Sequence, residues 1–171
     1  MKTVISHKFL AATFGVVAAT LVSASAYAAS VTGNASAVVA TPIAISEVTA
    51  MSYGNIAGSG AVGTAVLDTA DGLTVTGGVT ALSGSTPASG AFSVTGQGTS
   101  TYSITLPTSV TLTGPGAATM TITGLGHSAG ATPALAAGAA SFKIGGSLAV
   151  GINQAAGTYA SGAFPVTVNY Q

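Results

Sequence analysis

The chain has 171 residues, 48% of them hydrophobic and only 4% charged, with three basic and three acidic side chains and neither cysteine nor tryptophan. Ordinary soluble domains carry about 25% charged residues, and a chain this poor in lysine and arginine cannot build a basic surface for nucleic acid or anionic lipid. Beyond the first two dozen residues no apolar run approaches the ~18 to 20 residues that a membrane-crossing helix needs.

Residues 1–28 have the layout of a secretory signal peptide. Lys2 and Lys8 make a basic start, an apolar stretch follows over 9–22, and Ala26-Tyr27-Ala28 supplies a small-residue cleavage site. Cleavage before Ala29 is expected, and with it export. The remainder keeps Lys143 against Glu47, Asp68 and Asp71. Its bulk of Ala, Gly, Ser, Thr and Val is poor in helix formers and rich in β-branched and turn residues, which predicts an all-β domain over residues 42–171.

Residues 29–41 read as an extended N-terminal arm. Val31, Gly33, Ala35, Ala37 and Val39 share one parity and Thr32, Asn34 and Ser36 the other. This makes the arm a candidate donor strand with one small, apolar face. Pro42 interrupts it, and a strand over 43–48 begins at once. Further on, turn signals recur every eight to twelve residues or so, as in a sandwich or barrel. Short strands are predicted over 51–56, 64–68 and 73–76, with turns at Gly58-Ser59-Gly60 and Gly77-Gly78. The clean alternation in 92–96 and 102–106 predicts a hairpin through Gln97 to Ser100. Strands over 110–113 and 120–123 flank Gly114-Pro115-Gly116. After an irregular stretch over 127–138 come strands over 142–144 and 148–150, with a turn at Gly145-Gly146.

The final strand, over 162–171, places Phe164, Val166, Val168 and Tyr170 on one face and Thr167, Asn169 and Gln171 on the other. Pro165 near its start suits an edge or a strand beginning. An open edge invites pairing with another strand, so these four residues are the candidate acceptor edge or a chaperone-recognised terminal strand. Nine or ten short strands with no amphipathic helix beyond the leader predict an immunoglobulin-like antiparallel β-sandwich. Its expected core is Ile43, Ile45, Val75, Phe92, Val94, Tyr102, Ile104, Leu106, Leu112, Ile122, Phe142, Ile144, Leu148, Val150, Phe164, Val166 and Val168.

Chemistry has little to work with. Outside the leader His127 is the single candidate base, set in a Gly- and Ala-rich loop with no carboxylate near it in sequence, and is read as a solvated loop histidine. Asp68 and Asp71 supply too few oxygens for a hard cation and are read as turn formers. Gly96-Gln97-Gly98 and Gly145-Gly146 lack the helix that a phosphate cradle requires. The Thr-x-Thr patterns at 74–76, 111–113 and 119–123 lack the fixed repeat of a solenoid and are read as outward strand faces. No catalytic residue, cofactor or metal is expected, and no enzyme.

The segments Met51-Ser52-Tyr53-Gly54-Asn55-Ile56, Phe92-Ser93-Val94-Thr95-Gly96, Tyr102-Ser103-Ile104-Thr105-Leu106-Pro107 and Gly145-Gly146-Ser147-Leu148-Ala149-Val150-Gly151 resemble the bacterial domain of unknown function 4402. Gly157-Thr158-Tyr159 through Val168-Asn169-Tyr170 is similar to the ending of spore-coat-U-type and archaic chaperone–usher pilins. The resemblance implies a pilin-like fold, a periplasmic chaperone, an outer-membrane usher and a cell-surface filament. Many spore-coat-U-type subunits carry a disulfide, which this chain cannot.

The expectation is a structural subunit of an extracellular pilus that polymerises head to tail with identical copies by donor-strand exchange. The arm of one copy would complete the sandwich of the next, beside its terminal strand. The alternative is a monomeric secreted cell-surface or matrix β-sandwich whose arm completes its own sheet; a small outer-membrane β-barrel and an enzyme rank below both.

Overall fold

The computed structural model describes residues 28–171, so the expected leader lies outside the described residues except for Ala28. The stretch up to Ala37 and the body, Val38–Gln171, are separate units. Residues 28–42 form no strand and are exposed throughout, with Val31 and Val39 95% and 94% accessible.

The body is all-β and every strand pairing is antiparallel. Nine strands follow in order among the described residues: β1 (Ala44–Thr49), β2 (Ile56–Leu67), β3 (Leu73–Ala81), β4 (Gly90–Thr95), β5 (Tyr102–Thr105), β6 (Ser109–Thr113), β7 (Thr119–His127), β8 (Ala139–Val150) and β9 (Thr167–Tyr170). A 3₁₀ turn, Pro115–Ala117, the one helical element among the described residues, lies inside the β6–β7 hairpin that the Gly-Pro-Gly signal predicts.

Strand β8 organises the rest. Its first half, from Ala139 to Ile144, pairs with β4, and β4 pairs with β1. Its second half, from Gly146 to Val150, pairs with β2, which carries β3, while β7 and then β6 extend from the other edge. Two half-sheets therefore share one 12-residue strand. Strands β5 and β9 form a separate two-stranded sheet, Tyr102 opposite Tyr170 and Thr105 opposite Thr167. The arrangement is sandwich-like.

Two apolar cores result. In one, Phe92, Val94, Phe142 and Ile144 from the β4–β8 layer meet Tyr102 and Val168 from β5 and β9, with Leu135 beside them. In the other, Ala65, Leu67, Val79, Val110, Met120, Ile122, Leu148 and Val150 line the inner face of the β3-β2-β8-β7-β6 layer, and Tyr53 packs on it from an irregular segment. Each expected core residue is buried or half-buried.

Several expectations need correction. Residues 92–96 and 102–106 do not form a hairpin: β4 is flanked on both edges by β1 and β8, so β5 crosses to the other sheet and pairs with β9. Gly145-Gly146 is not a turn but the middle of β8. A Cβ on Gly145 would lie 2.2 Å from the Leu67 carbonyl oxygen, so glycine serves close backbone approach there. Likewise Gly58-Ser59-Gly60 and Gly77-Gly78 lie within β2 and β3, whose register shifts between Gly58 and Gly63 as a bulge. The strand predicted over 51–56 is irregular, with an isolated bridge from Ser52 to Ala88, and β2 starts only at Ile56. His127 is not a loop residue. It ends β7 opposite Ile144, half-buried, edge-on to Phe142 at 6.2 Å.

Asp68, Asp71 and Lys143 hold turns in place. Asp68 Oδ1 accepts the N–H groups of Ala70 and Gly72, both at 2.7 Å, closing the β2–β3 turn. Asp71 accepts from Lys143 Nζ at 2.6 Å and from the Ser89 N–H at 2.8 Å and hydroxyl, tying that turn to β8 and to the approach of β4. The Lys143 ammonium first, then the Ser89 donors, hold the Asp71 carboxyl well below the usual carboxylate range.

Candidate functional site

The two cores are not covered alike. The first has the β5–β9 sheet across it. Over the second lie irregular segments, residues 50–55 and 151–164, and between them a cleft of about 930 Å³ reaches down to the core. Phe92, Leu112, Met120, Ile122, Leu148 and Val150 form its floor; they point inward by strand alternation and, apart from the half-buried Leu112, are buried beneath irregular segments instead of a facing strand. One wall runs from Glu47 near the end of β1 through Met51 to Gly58 at the start of β2; the other runs from Gln154 to Phe164.

Both walls are braced by side-chain hydrogen bonds. Tyr53 Oη donates to the Gly146 carbonyl at 2.9 Å, and burial pushes its hydroxyl pKa well above the ordinary value. The Ser85 hydroxyl accepts the Asn55 N–H at 2.8 Å. On the opposite wall, Gln154 Nε2 donates to Tyr159 Oη at 2.8 Å, which donates to the Ala155 carbonyl at 2.8 Å. Gln154 also donates to the Thr119 carbonyl on β7, and Thr113 at the end of β6 exchanges two backbone bonds with Ala160. The second wall is thereby held to the β6–β7 hairpin. Glu47 is the one charged residue on the lining.

The terminal stretch borders this cleft. Phe164, at its start, lines it and packs against both cores; Val166, Val168 and Tyr170 continue on the same inward parity, although the strand proper is only β9. At the far end of β9, Tyr170 Oη accepts the Gln97 N–H and donates to the Thr41 carbonyl, both at 2.6 Å, while Gln97 Oε1 accepts the Thr41 N–H at 3.1 Å. Thr41, where the arm meets the body, is thus pinned to the end of β9. Val31, Gly33, Ala35, Ala37 and Val39 are all exposed.

Sequence reasoning found the terminal strand and missed both walls. Residues 51–56 read as a regular strand instead of an irregular wall, and 151–163 has no periodicity to mark it. Acid–base machinery does not assemble at the cleft. A smaller cleft of about 340 Å³ lies between β2, β7 and β8 and is lined by Asp68, Thr69, His127 and Ser147, with His127 Nδ1 buried and without a hydrogen-bond partner. Among the described residues no three His, Cys, Asp or Glu side chains gather as a metal site would need, and no helix is long and apolar enough to cross a membrane.

Comparison with curated proteins and with solved structures gives no match. A family model does match, over residues 43–170, from the start of β1 through the end of β9 and across both walls of the cleft. The chain belongs to the family described as Domain of unknown function (DUF4402).

Proposed function

We propose that the protein is an exported structural subunit of a surface filament, polymerising head to tail as the arm of one copy fills the cleft of the next. The observation that carries this reading is the cleft over the second core, with an apolar floor and mixed polar and apolar walls, where a strand would complete the layer begun by β5 and β9. The same chain has an exposed segment of alternating apolar residues, 29–41, that forms no strand. A guest strand laid between the Glu47–Gly58 wall and the Gln154–Phe164 wall would lie above the buried Ile122, Leu148 and Val150 and against the half-buried Met51, Ile56, Leu112 and Phe164. Val31 and Val39 would each gain about 1.5 to 3 kcal/mol on full burial, with Gly33, Ala35 and Ala37 suiting shallow positions. A row of backbone hydrogen bonds would make release slow.

Head-to-tail geometry has its own support. The arm joins the body at Thr41, beside the start of β1, whereas the cleft begins near the other end of that strand, roughly 25 Å further along at about 3.3 Å per residue. Insertion into the same molecule requires the arm to turn back at Thr41, a residue fixed by Gln97 and Tyr170. A heterologous contact of this kind generates fibres where its rotation does not close a ring. The immunoglobulin-like pilin assignment, the periplasmic chaperone and outer-membrane usher, and the cell-surface location belong to the same proposal.

The test compares the exported chain with a form lacking residues 29–41, by gel filtration, negative-stain microscopy and urea denaturation. The full chain forms polymers and the truncated one does not. A synthetic peptide of residues 29–41 raises the truncated protein's stability by about 2.7 kcal/mol when present at one hundred times its dissociation constant. Two monomers with the same denaturation midpoint, indifferent to the peptide, would refute the reading and favour a self-contained sandwich.

A further inference from the structure

The outer face of the β3-β2-β8-β7-β6 layer is an ordered grid of small, uncharged side chains. Strand register aligns Thr76, Thr64, Ala149, Thr121 and Thr111 in one rank across all five strands. A second rank, two residues along each strand, runs from Thr74 to Ser109 with Val66 as its one larger apolar member. Inward neighbours such as Ala65, Leu148 and Ile122 are buried, so the ranks point away from the core. Neither rank contains a charged or aromatic residue.

We infer that this face is a lateral contact between copies of the chain, weak for one pair and effective when many copies are held in a row; its multiplication rests on the filament reading above. A hydroxyl both donates and accepts, so a threonine grid can complement itself, and the lack of charge removes the repulsion that like faces usually meet. Twist also favours a second copy. Neighbouring strands rotate by roughly 20 to 25°, which a planar surface cannot follow over five strands, whereas two identically twisted sheets stack at about 30°. Neutral glycans are a poorer fit because the ranks offer no aromatic ring to a sugar face.

The size of the face sets the strength. Five strands about 4.8 Å apart, and two to three ranks roughly 6.7 Å apart, give an area on the order of 300 Å². A stable pairwise interface needs about 800 Å² per partner. Single copies therefore stay apart, and linked arrays gain the contact through effective concentration.

The experiment uses the exported chain with a C-terminal biotin tag, displayed densely on streptavidin beads, and in parallel as filaments under negative stain. Beads of the unmodified chain clump, and clump equally at low and high salt; filaments lie side by side in bundles. In the double variant Thr111→Lys and Thr123→Lys, two exposed sites on the face, clumping falls roughly tenfold or more, as opposed like charges require, and filaments separate into single fibres of unchanged length. A control, Ser46→Lys on β1, keeps both behaviours. Equal clumping of the double variant and the unmodified chain overturns the proposal, as does clumping that a soluble neutral glycan abolishes. If beads respond as expected and no chain forms filaments, the lateral contact stands and the filament reading falls.

Discussion

Gly126 and Gly145 are directly opposed on β7 and β8, yet their surroundings differ sharply. A Cβ on Gly145 would sit 2.2 Å from the Leu67 carbonyl oxygen and 2.9 Å from the Asp68 carbonyl carbon, both main-chain atoms of β2 and its turn. A Cβ on Gly126 would meet nothing within 4 Å. Gly145→Ala must therefore push β2 from β8 where Leu67 pairs with Gly146, and a shift of that kind costs about 1 to 3 kcal/mol. Gly126→Ala adds a methyl in open space and lowers the unfolded chain's entropy, a gain of about 0.4 to 1 kcal/mol. With a urea m-value of about 2 kcal/mol/M, the first midpoint falls by roughly 1 M and the second rises by a few tenths, at unchanged slope. Equilibrium urea denaturation of the two single variants reads this directly. Midpoints within about 0.2 M of each other, on that scale, would refute the claim that glycine at 145 exists to admit the neighbouring backbone.

Asp71→Asn removes the partner of Lys143 and weakens the link from the β2–β3 turn to β8. Because the Asp71 pKa is depressed by folding, the pair's contribution is present above the unfolded value of about 3.9 and fades as pH falls toward the lower folded value. Denaturation midpoints of the native chain should decline more steeply than those of Asp71→Asn on acidification below that point; parallel pH profiles would contradict the assignment. Tyr170→Phe removes the hydroxyl shared by Gln97 and Thr41, a loss of about 0.5 to 1.5 kcal/mol per bond where water cannot substitute. Hydrogen exchange at the Gln97 amide should quicken, while exchange in β7 stays the same. Unchanged protection at Gln97 would show that the clamp is not formed in solution.

Alternation was legible wherever a strand buries one face. Phe92 and Val94, Val110 and Leu112, Met120 and Ile122, and Phe164 through Tyr170 each follow a period of two, and each points inward. Pairing was not legible, because register among strands far apart in sequence leaves no local trace: nothing in residues 92–106 says that β4 is occupied on both edges. Glycine was the main source of error. The same residue that bends a chain also lets two backbones touch, and Gly145-Gly146 or Gly77-Gly78 cannot reveal which from sequence alone. Leu135 was missed for a related reason, since it is buried from within a stretch that otherwise has the composition of a loop.

The candidate site was legible on one side only. Which apolar side chains point inward follows from strand parity, but where a facing strand is lacking depends on how the long strand β8 divides its partners. Its first half is matched by the β5–β9 sheet, which is only four residues deep in each strand. Its second half carries β2, β3, β6 and β7 on an apolar inner face with nothing but two irregular segments above it. A layer five strands wide and one two strands wide cannot cover each other, and the mismatch falls at Met120, Ile122, Leu148 and Val150. Those four side chains are themselves buried, so the apolar area that a partner strand could remove from water lies on the rim around them, at the half-buried Met51 and Ile56 on one wall, Tyr159 and Phe164 on the other, and Leu112 between.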